Sequence, residues 1–283
     1  MIMKFKKIVI IGMGFIGGSI GKALLAEDIA EEVIGVCRRQ VSLDKAVKEK
    51  ALTSGMVDDH QRAVLGAEIV IIATPVHTVK DILDRLADVI NNKDVIVTDV
   101  GSTKKEIVTH AAKYKDKFTF IGSHPMAGSE KTGVEHSSGD LFRGSVCIIT
   151  PDDNTDKNKQ GILNGLWTSI GAETVSISPD GHDRCLAFSS HLPHIAAYAL
   201  AGILDENISH KMFSTGFKDT TRIAASDPKI WSDIFASNRE NVLKALKKYK
   251  GIISDIENSI SSGDADELEK KLSGYKRMRD ELV

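Results

Sequence analysis

Cysteine is scarce in this chain: Cys37, Cys147 and Cys185 are the only three in 283 residues. They lie far apart, are odd in number and show no CxxC or zinc-type spacing. That excludes a disulfide framework and fits a reducing cytoplasm. An excess of charge of one sign is also lacking. The formal net charge is −2, so no basic surplus exists to make nucleic acid the main partner. No apolar run reaches the length of a membrane span. Met1 to Ile11 is apolar and basic, but it leads straight into glycines with no cleavage site and too short an apolar core. It reads as a first strand and not as a signal peptide. Internal repeats, low-complexity tracts and flexible linkers are missing too. What remains, 42% hydrophobic and 27% charged residues, is the composition of an ordinary globular protein. At this length two domains are the default expectation.

The first half alternates strand and helix signals. Lys7 to Ile11 reads as a strand buried on both faces of a parallel sheet. The segment GMGFIG, Gly12 to Gly17, follows at once, and a helical pattern continues through Ile20, Leu24 and Leu25. This is GxGxxG with a strand before it and a helix after it, the context a dinucleotide site needs. Gly12 permits the tight turn, Gly14 lets a pyrophosphate approach the backbone, and Gly17 lets helix and strand pack closely. Phe15 and Ile16, first in the helix, offer N–H groups to the phosphates. The second strand, Glu32 to Cys37, ends beside the expected adenine ribose, where an NAD site usually places Asp or Glu. Here Arg38 and Arg39 follow. No carboxylate repels a 2′-phosphate there and two guanidiniums face it, which favours NADP and leaves NAD possible. The same pair is also compatible with a solvated loop.

Ser42 reads as the N-cap of a helix to Glu49. Strands are expected over Glu68 to Ala73, Val95 to Asp99 and Phe118 to Ser123, with helices over Val79 to Ile90 and Lys104 to Ala112. Val146 to Thr150 and Glu173 to Ile177 are expected to extend the same sheet around a helix from Lys157 to Ile170. Ligands bind beyond the carboxyl ends of such strands. Thr74 with Pro75, Gly101 with Ser102, and His124 are therefore expected at one crevice. His124 is expected on a turn stiffened by Pro125, where an imidazole suits proton transfer near neutral pH. Taken alone, its plainer role is to tie down its loop through a backbone hydrogen bond.

After Pro179 the strand signals cease. Helices are expected over Asp180 to Asp205, Asn238 to Ser262 and Ala265 to Leu282. On the second of these Val242, Leu246, Tyr249, Ile253, Ile256 and Ile260 form an apolar stripe too long for a small helical tail to bury, which suggests a homodimer through these helices. The chain thus divides into an α/β domain, residues 1–177, with a mostly parallel, doubly wound Rossmann-type sheet, and an all-α domain, residues 178–283. His191 and His194, at i and i+3, lack a third ligand and have Pro193 between them, so no metal site is expected. Arg222 follows a glycine turn where its guanidinium can clamp a carboxylate. A salt bridge to Asp219 or Asp227 is the plainer role for it.

Five segments in a fixed order resemble the prephenate/arogenate dehydrogenase family of tyrosine biosynthesis. They are GMGFIGGSIG from Gly12, DVGSTK over Asp99 to Lys104, GSHPMAGSE over Gly122 to Glu130, SHLPH over Ser190 to His194, and GFKDTTRIAASDPKIW over Gly216 to Trp231. The resemblance implies a C-terminal dimerisation domain and a cyclohexadienol substrate that loses hydride to a nicotinamide and its ring carboxylate as CO2. It assigns the hydroxyl contact and proton acceptance to His124, with Ser102 bonding the same region. It gives His194 and Arg222 to the substrate's carboxylates, with Lys218 a further local cation. Ser129 and Glu130 fall near the substrate and the domain interface. Trp231 is the aromatic beside the site, from the same subunit or its partner. No fused mutase domain is expected before the first strand and no regulatory domain after the last helix, so tyrosine would act only at the active site. Two other readings compete. A β-hydroxyacid dehydrogenase would rely on a catalytic lysine on a second-domain helix, and a non-catalytic dinucleotide sensor would not need His124 and Arg222 together.

Overall fold

The computed structural model describes residues 4–128, 131–204 and 212–282. β1 (Phe5–Ile11) leads into α1 (Phe15–Ala26), β2 (Ala30–Cys37) into α2 (Gln40–Lys48), and β3 (Ser54–Val57) into the single turn α3 (His60–Ala63). β4 (Ile69–Ile72) precedes α4 (Val76–Val89), β5 (Ile96–Asp99) precedes α5 (Lys105–Ala111), and β6 (Thr119–Phe120) closes the sheet. The strand order is β3-β2-β1-β4-β5-β6 and every pairing is parallel. β1 shows why the run of β-branched residues forms a central strand. Ile8 and Ile10 pack to one side with Ile20 and Leu24 of α1, whereas Val9 and Ile11 pack to the other with Val79 and Leu83 of α4. Each such side chain contributes about 1.5–3 kcal/mol on full burial. The order reverses between β1 and β4, and the crevice for a ligand opens there.

Four expectations about this half change. The run Phe118 to Ser123 is not one strand. It breaks at Ile121, and β7 (Gly122–Pro125) turns away to pair antiparallel with β8 (Val146–Thr150). β8 pairs in parallel with β9 (Glu173–Ser176) across α6 (Lys157–Ser169), so these strands form a second, three-stranded sheet and do not extend the first. Gly122 allows the crossing, since a Cβ there would sit 2.4 Å from Thr150 Oγ1. His124 therefore lies within a strand, opposite Ile148, and not on a turn. Pro125 is tolerated because β7 is the edge of its sheet and needs no donor on its open side. Finally, Ser42 lies inside α2, whose N-cap is Arg39 in extended geometry with no side-chain cap.

The C-terminal half is helical, as expected. Ser178 caps α7 (Pro179–Leu186) by accepting from Gly181 N–H, with Pro179 preset in the first turn. The long helix expected from Asp180 is interrupted by a π turn, Ala187–His191, before α8 (Leu192–Gly202). The wider turn ends two residues before Pro193, which lacks the N–H needed to continue the α-helical ladder. The expected end at Asp205 lies outside the described residues. α9 (Thr215–Thr221), a 3-10 turn at Arg222–Ala225, α10 (Pro228–Ser237), α11 (Arg239–Ser262) and α12 (Ala265–Asp280) follow. Along α11, Val242 is buried, but Tyr249, Ile253 and Ile260 are 37%, 46% and 62% exposed. The helical half docks on the sheet half through α7 against α5 and α10 against α4.

Candidate active site

The β1–α1 turn is shaped by close approach. Gly12 has φ +99°, and a Cβ on it would lie 2.6 Å from the carbonyl oxygen of Ala73. A Cβ on Gly17 would lie 1.9 Å from Gly12 O, so helix and turn pack only with glycine there. A Cβ on Gly14 would meet nothing within 4 Å, and Gly14 caps α1 with no side-chain bond. Open space thus faces the N–H groups at the start of a twelve-residue helix, which fits the pyrophosphate of a dinucleotide.

A cleft of 540 Å³ extends from this turn. Gly12, Gly14, Arg38, Arg39, Thr74 and Pro75 line it, with both arginines exposed. Phe15, Ile16 and Gly17 stand behind it at the start of α1. Gly101 is buried apart from it and donates its N–H to Asp99 at 2.8 Å. The cleft also holds residues that motif reading passed over. Ser42 and Lys45, i and i+3 on α2, face it beside the two arginines, and Gly133 to Glu135 cover one side. Lys45 Nζ lies 3.2 Å from Glu135 across that cover. Helical spacing after Arg39 was the available signal for Ser42 and Lys45.

Beyond β5 a buried polar network holds His124. Asp99 and Lys104 are fully buried and joined as an ion pair. Burial pushes Lys104 down and Asp99 up, while their mutual attraction opposes both shifts. Lys104 Nζ also donates to Ser123 O at 2.8 Å. Ser123 Oγ donates to Asp99 O at 2.7 Å and meets Thr98 Oγ1 at 2.9 Å. β7, which carries His124, is thereby pinned to β5, which leads into the partly exposed Ser102. His124 Nδ1 lies 2.9 Å from His182 Nε2, and His182 Nδ1 lies 2.8 Å from Asp183 Oδ1. Asp183 also accepts the backbone N–H groups of Lys104 and Lys105 at 2.8 and 3.0 Å. Burial, with His182, Lys104 and His191 nearby, holds His124 well below the usual histidine range. It is neutral at physiological pH and keeps part of its surface open.

His182 and Asp183 were not singled out in the sequence. Their partner stands 58 residues earlier, and no local spacing marks them.

His194 and Trp231 meet within one chain, stacked at 3.4 Å between ring centroids. His194 Nδ1 faces Ser190 O at 3.0 Å. His191 is buried and bonded to Asn238 at 3.2 Å, so the two histidines differ in hydrogen-bond partner while both touch Trp231. Among the described residues no cluster of three or more His, Cys, Asp or Glu is set to hold a metal ion. Arg222 is exposed at the start of the 3-10 turn that packs on α8, and among the described residues it makes no salt bridge to Asp219 or Asp227. Lys218 is exposed on α9, outside the network around His124. Ser129 and Glu130 lie outside the described residues. No helix among the described residues is long and apolar enough to cross a membrane.

Residues 20–176 match the nucleotide-binding domain of prephenate dehydrogenase and residues 178–274 match its dimerization domain. Prephenate dehydrogenase of Bacillus subtilis is 35% identical over 97% of this chain and 76% of its own length. The cyclohexadienyl dehydrogenase of Zymomonas mobilis is 33% identical over 93% of this chain and 92% of its own. The structure of prephenate dehydrogenase from Aquifex aeolicus, in complex with hydroxyphenyl propionate and NAD+, superposes with a TM-score of 0.90. It shares 32% identity and covers 99% of both chains. With both halves matched in order and relatives aligned along nearly its whole length, this chain belongs to the prephenate dehydrogenase family, oxidoreductases built on a nicotinamide-dinucleotide-binding domain.

Proposed function

We propose that the protein catalyses the oxidative decarboxylation of a cyclohexadienol, prephenate or its amino-acid counterpart arogenate, to 4-hydroxyphenylpyruvate or tyrosine. The observation that carries this reading is His124, a neutral imidazole held by a buried network yet partly open beside the sheet's carboxyl edge. A neutral histidine accepts the hydroxyl proton as the carbinol hydrogen leaves as hydride. The bound nicotinamide supplies the hydride acceptor. The ring carboxylate then leaves as CO2, its bonding electrons complete the aromatic ring, and the phenolate oxygen takes the proton back from His124. The net loss from substrate is one hydride and one CO2, so the proton is borrowed and returned. Aromatisation drives the step, and the protein's task is to orient the reactants and hold their charged ends. Ser102 supports the hydroxyl end. Arg222, His194 and Lys218 hold carboxylates, Trp231 shapes the wall by stacking on His194, and Ser129 and Glu130 keep the role the shared motif implies, near the substrate.

Gly12, Gly14, Phe15, Ile16 and Gly17 serve the pyrophosphate, Thr74 and Pro75 border the nicotinamide side, and Gly101, buried apart from the cleft, holds the turn after β5 through its N–H to Asp99. Arg38 and Arg39, exposed on the cleft with no carboxylate at the end of β2, favour NADP over NAD. The uncovered stripe on α11 is the face of a homodimer. Light scattering on the eluted protein that returned a clean monomer mass would remove that assembly. Three unpaired cysteines suit a reducing cytoplasm. The reaction is tested by initial rates of reduced-nicotinamide formation on prephenate and on arogenate, each with NADP+ and NAD+. A rate with either substrate is expected, and silence with both under either cofactor would overturn the reading.

A further inference from the structure

We propose that His182 and Asp183 are positioning residues that fix the tautomer of His124, placing its proton on Nδ1 and its lone pair on Nε2, where the substrate hydroxyl must lie. This deepens the reaction proposed above and rests on it for its catalytic meaning. The hydrogen bonds order the protons from the far end. Asp183 accepts from Lys104 N–H at Oδ1 and from Lys105 N–H at Oδ2. With a backbone N–H directed at each of its oxygens, the Asp183 carboxyl faces its neighbours as an acceptor. The nitrogen that meets it, His182 Nδ1 at 2.8 Å, must therefore carry a hydrogen. His182 is fully buried, and burial lowers its proton affinity, so the ring is neutral and holds one proton only. Its Nε2 is then bare. His124 Nδ1 lies 2.9 Å from that bare nitrogen and must donate to it. A neutral His124 with its proton on Nδ1 presents the lone pair on Nε2, the nitrogen directed away from His182. In the opposite tautomer the lone pair would face His182 inside the protein, and no base would be offered to the crevice.

The charged and titratable groups around the pair agree with this order. Lys104 from the β5–α5 turn and His191 from the π turn both disfavour a second proton on His124, and Asp99 pairs with Lys104 and not with either ring. Cys147 on β8 is a buried thiol whose pKa is pushed above the usual range by burial, so it supplies no charge. The bonds also cross the molecule: His124 belongs to the second sheet and His182 with Asp183 to the first helix of the helical half. Docking of the two halves therefore sets the protonation pattern of the base.

The test reads the tautomer directly, by long-range ¹H–¹⁵N correlation of ring nitrogens in histidine-labelled full-length protein, alongside kcat and KM. In the unaltered protein His124 and His182 are both expected as Nδ1–H forms. Finding His124 with its proton on Nε2 overturns the proposal, with no variant needed. His182→Leu removes the acceptor and is expected to move His124 to the Nε2–H form. It should lower kcat about 10²-fold, the scale of losing a general base, with KM nearly unchanged. His182→Gln restores an acceptor oxygen near the same place and is expected to hold the Nδ1–H form and recover most of kcat. Leu and Gln variants of equal kcat would overturn the positioning role. Absence of turnover in the unaltered protein, with His124 still in the Nδ1–H form, upholds the tautomer order and removes only the reaction.

Discussion

The surroundings of His124, the proposed base, and of the cations proposed to bind anions are built in opposite ways. Around His124 the partners His182, Asp183, Asp99 and Lys104 are buried, bonded to one another and tied to backbone groups. Arg222, Lys218, Arg38 and Arg39 are exposed, and among the described residues no salt bridge engages them. The difference follows from what each is proposed to do. A base that has to be neutral and aimed is made by burial, which costs stability unless every polar group finds a partner. A cation that waits for an anion costs little while solvated, and it gains most when the ligand displaces water from it. One end is preformed, and the other is completed by what binds.

The contrast is broken most severely at its preformed end. His124→Asn removes the base while leaving a polar group in the strand, and kcat should fall about 10²-fold or more with KM little changed. Steady-state kinetics on the substrate that turns over decides it, and near-normal kcat would move the chemistry elsewhere.

Preformation should also show in stability. Burial lowers His191 from 6.5 to about 4. The ring nitrogen facing the Asn238 amide at 3.2 Å serves as an acceptor, and a proton there would meet a donor. Between those two pKa values the unfolded chain binds a proton that the folded chain refuses. Stability is therefore full above about pH 6.5 and is lost as pH falls towards 4, by roughly 3 kcal/mol from this residue. His124 and His182, also lowered by burial, act in the same direction. Urea unfolding across that range should show the slope, and His191→Gln should flatten it. Equal slopes in the two proteins would mean that His191 is not held neutral by folding.

At the completed end the losses are smaller and fall on binding. Arg222→Ala should raise KM for the substrate on the order of ten- to a hundredfold, the scale of one charge-assisted hydrogen bond, and leave kcat close to normal. An unchanged KM would place the carboxylate clamp on another residue.

How much of this was legible beforehand follows the same division. The β1–α1 turn could be read because its constraints are local: each glycine answers a contact made within a few residues or one strand away. The double arginine after β2 was visible for the same reason. The second sheet was hidden because Phe118 to Ser123 reads as one apolar run, and only the pairing of Gly122 with Thr150 breaks it. β3 was missed because Ser54 to Val57 is short and half polar. His182 and Asp183 carry no periodic signal, and their importance comes from a strand 58 residues away and from the backbone of Lys104 and Lys105. Exposed, motif-borne groups were legible, whereas the buried network around His124 depends on long-range docking.

The smallest effect, and the sharpest comparison within the exposed group, concerns the adenine end. Arg38 and Arg39 line the cleft together with Ser42 and Lys45. Lys45 is already engaged with Glu135, a pair more than two-fifths exposed on both sides and so worth little by itself. The arginines are left as the cations with nothing to give up when a 2′-phosphate arrives. A guanidinium can meet that phosphate with two parallel N–H donors, whereas the ribose hydroxyl of NAD offers it no charge to pair with. Arg38→Ala and Arg39→Ala should each raise KM for NADP+ about tenfold, the value of one modest charge-assisted contact, and leave KM for NAD+ nearly as it was. Parallel titrations of the two cofactors separate the outcomes. A selective loss with NADP+ assigns the pair to the 2′-phosphate. An equal change with both cofactors would mean that the arginines act on the adenine or the fold of the loop. No change with either would leave them as surface charge, with cofactor choice resting on Ser42 and Lys45.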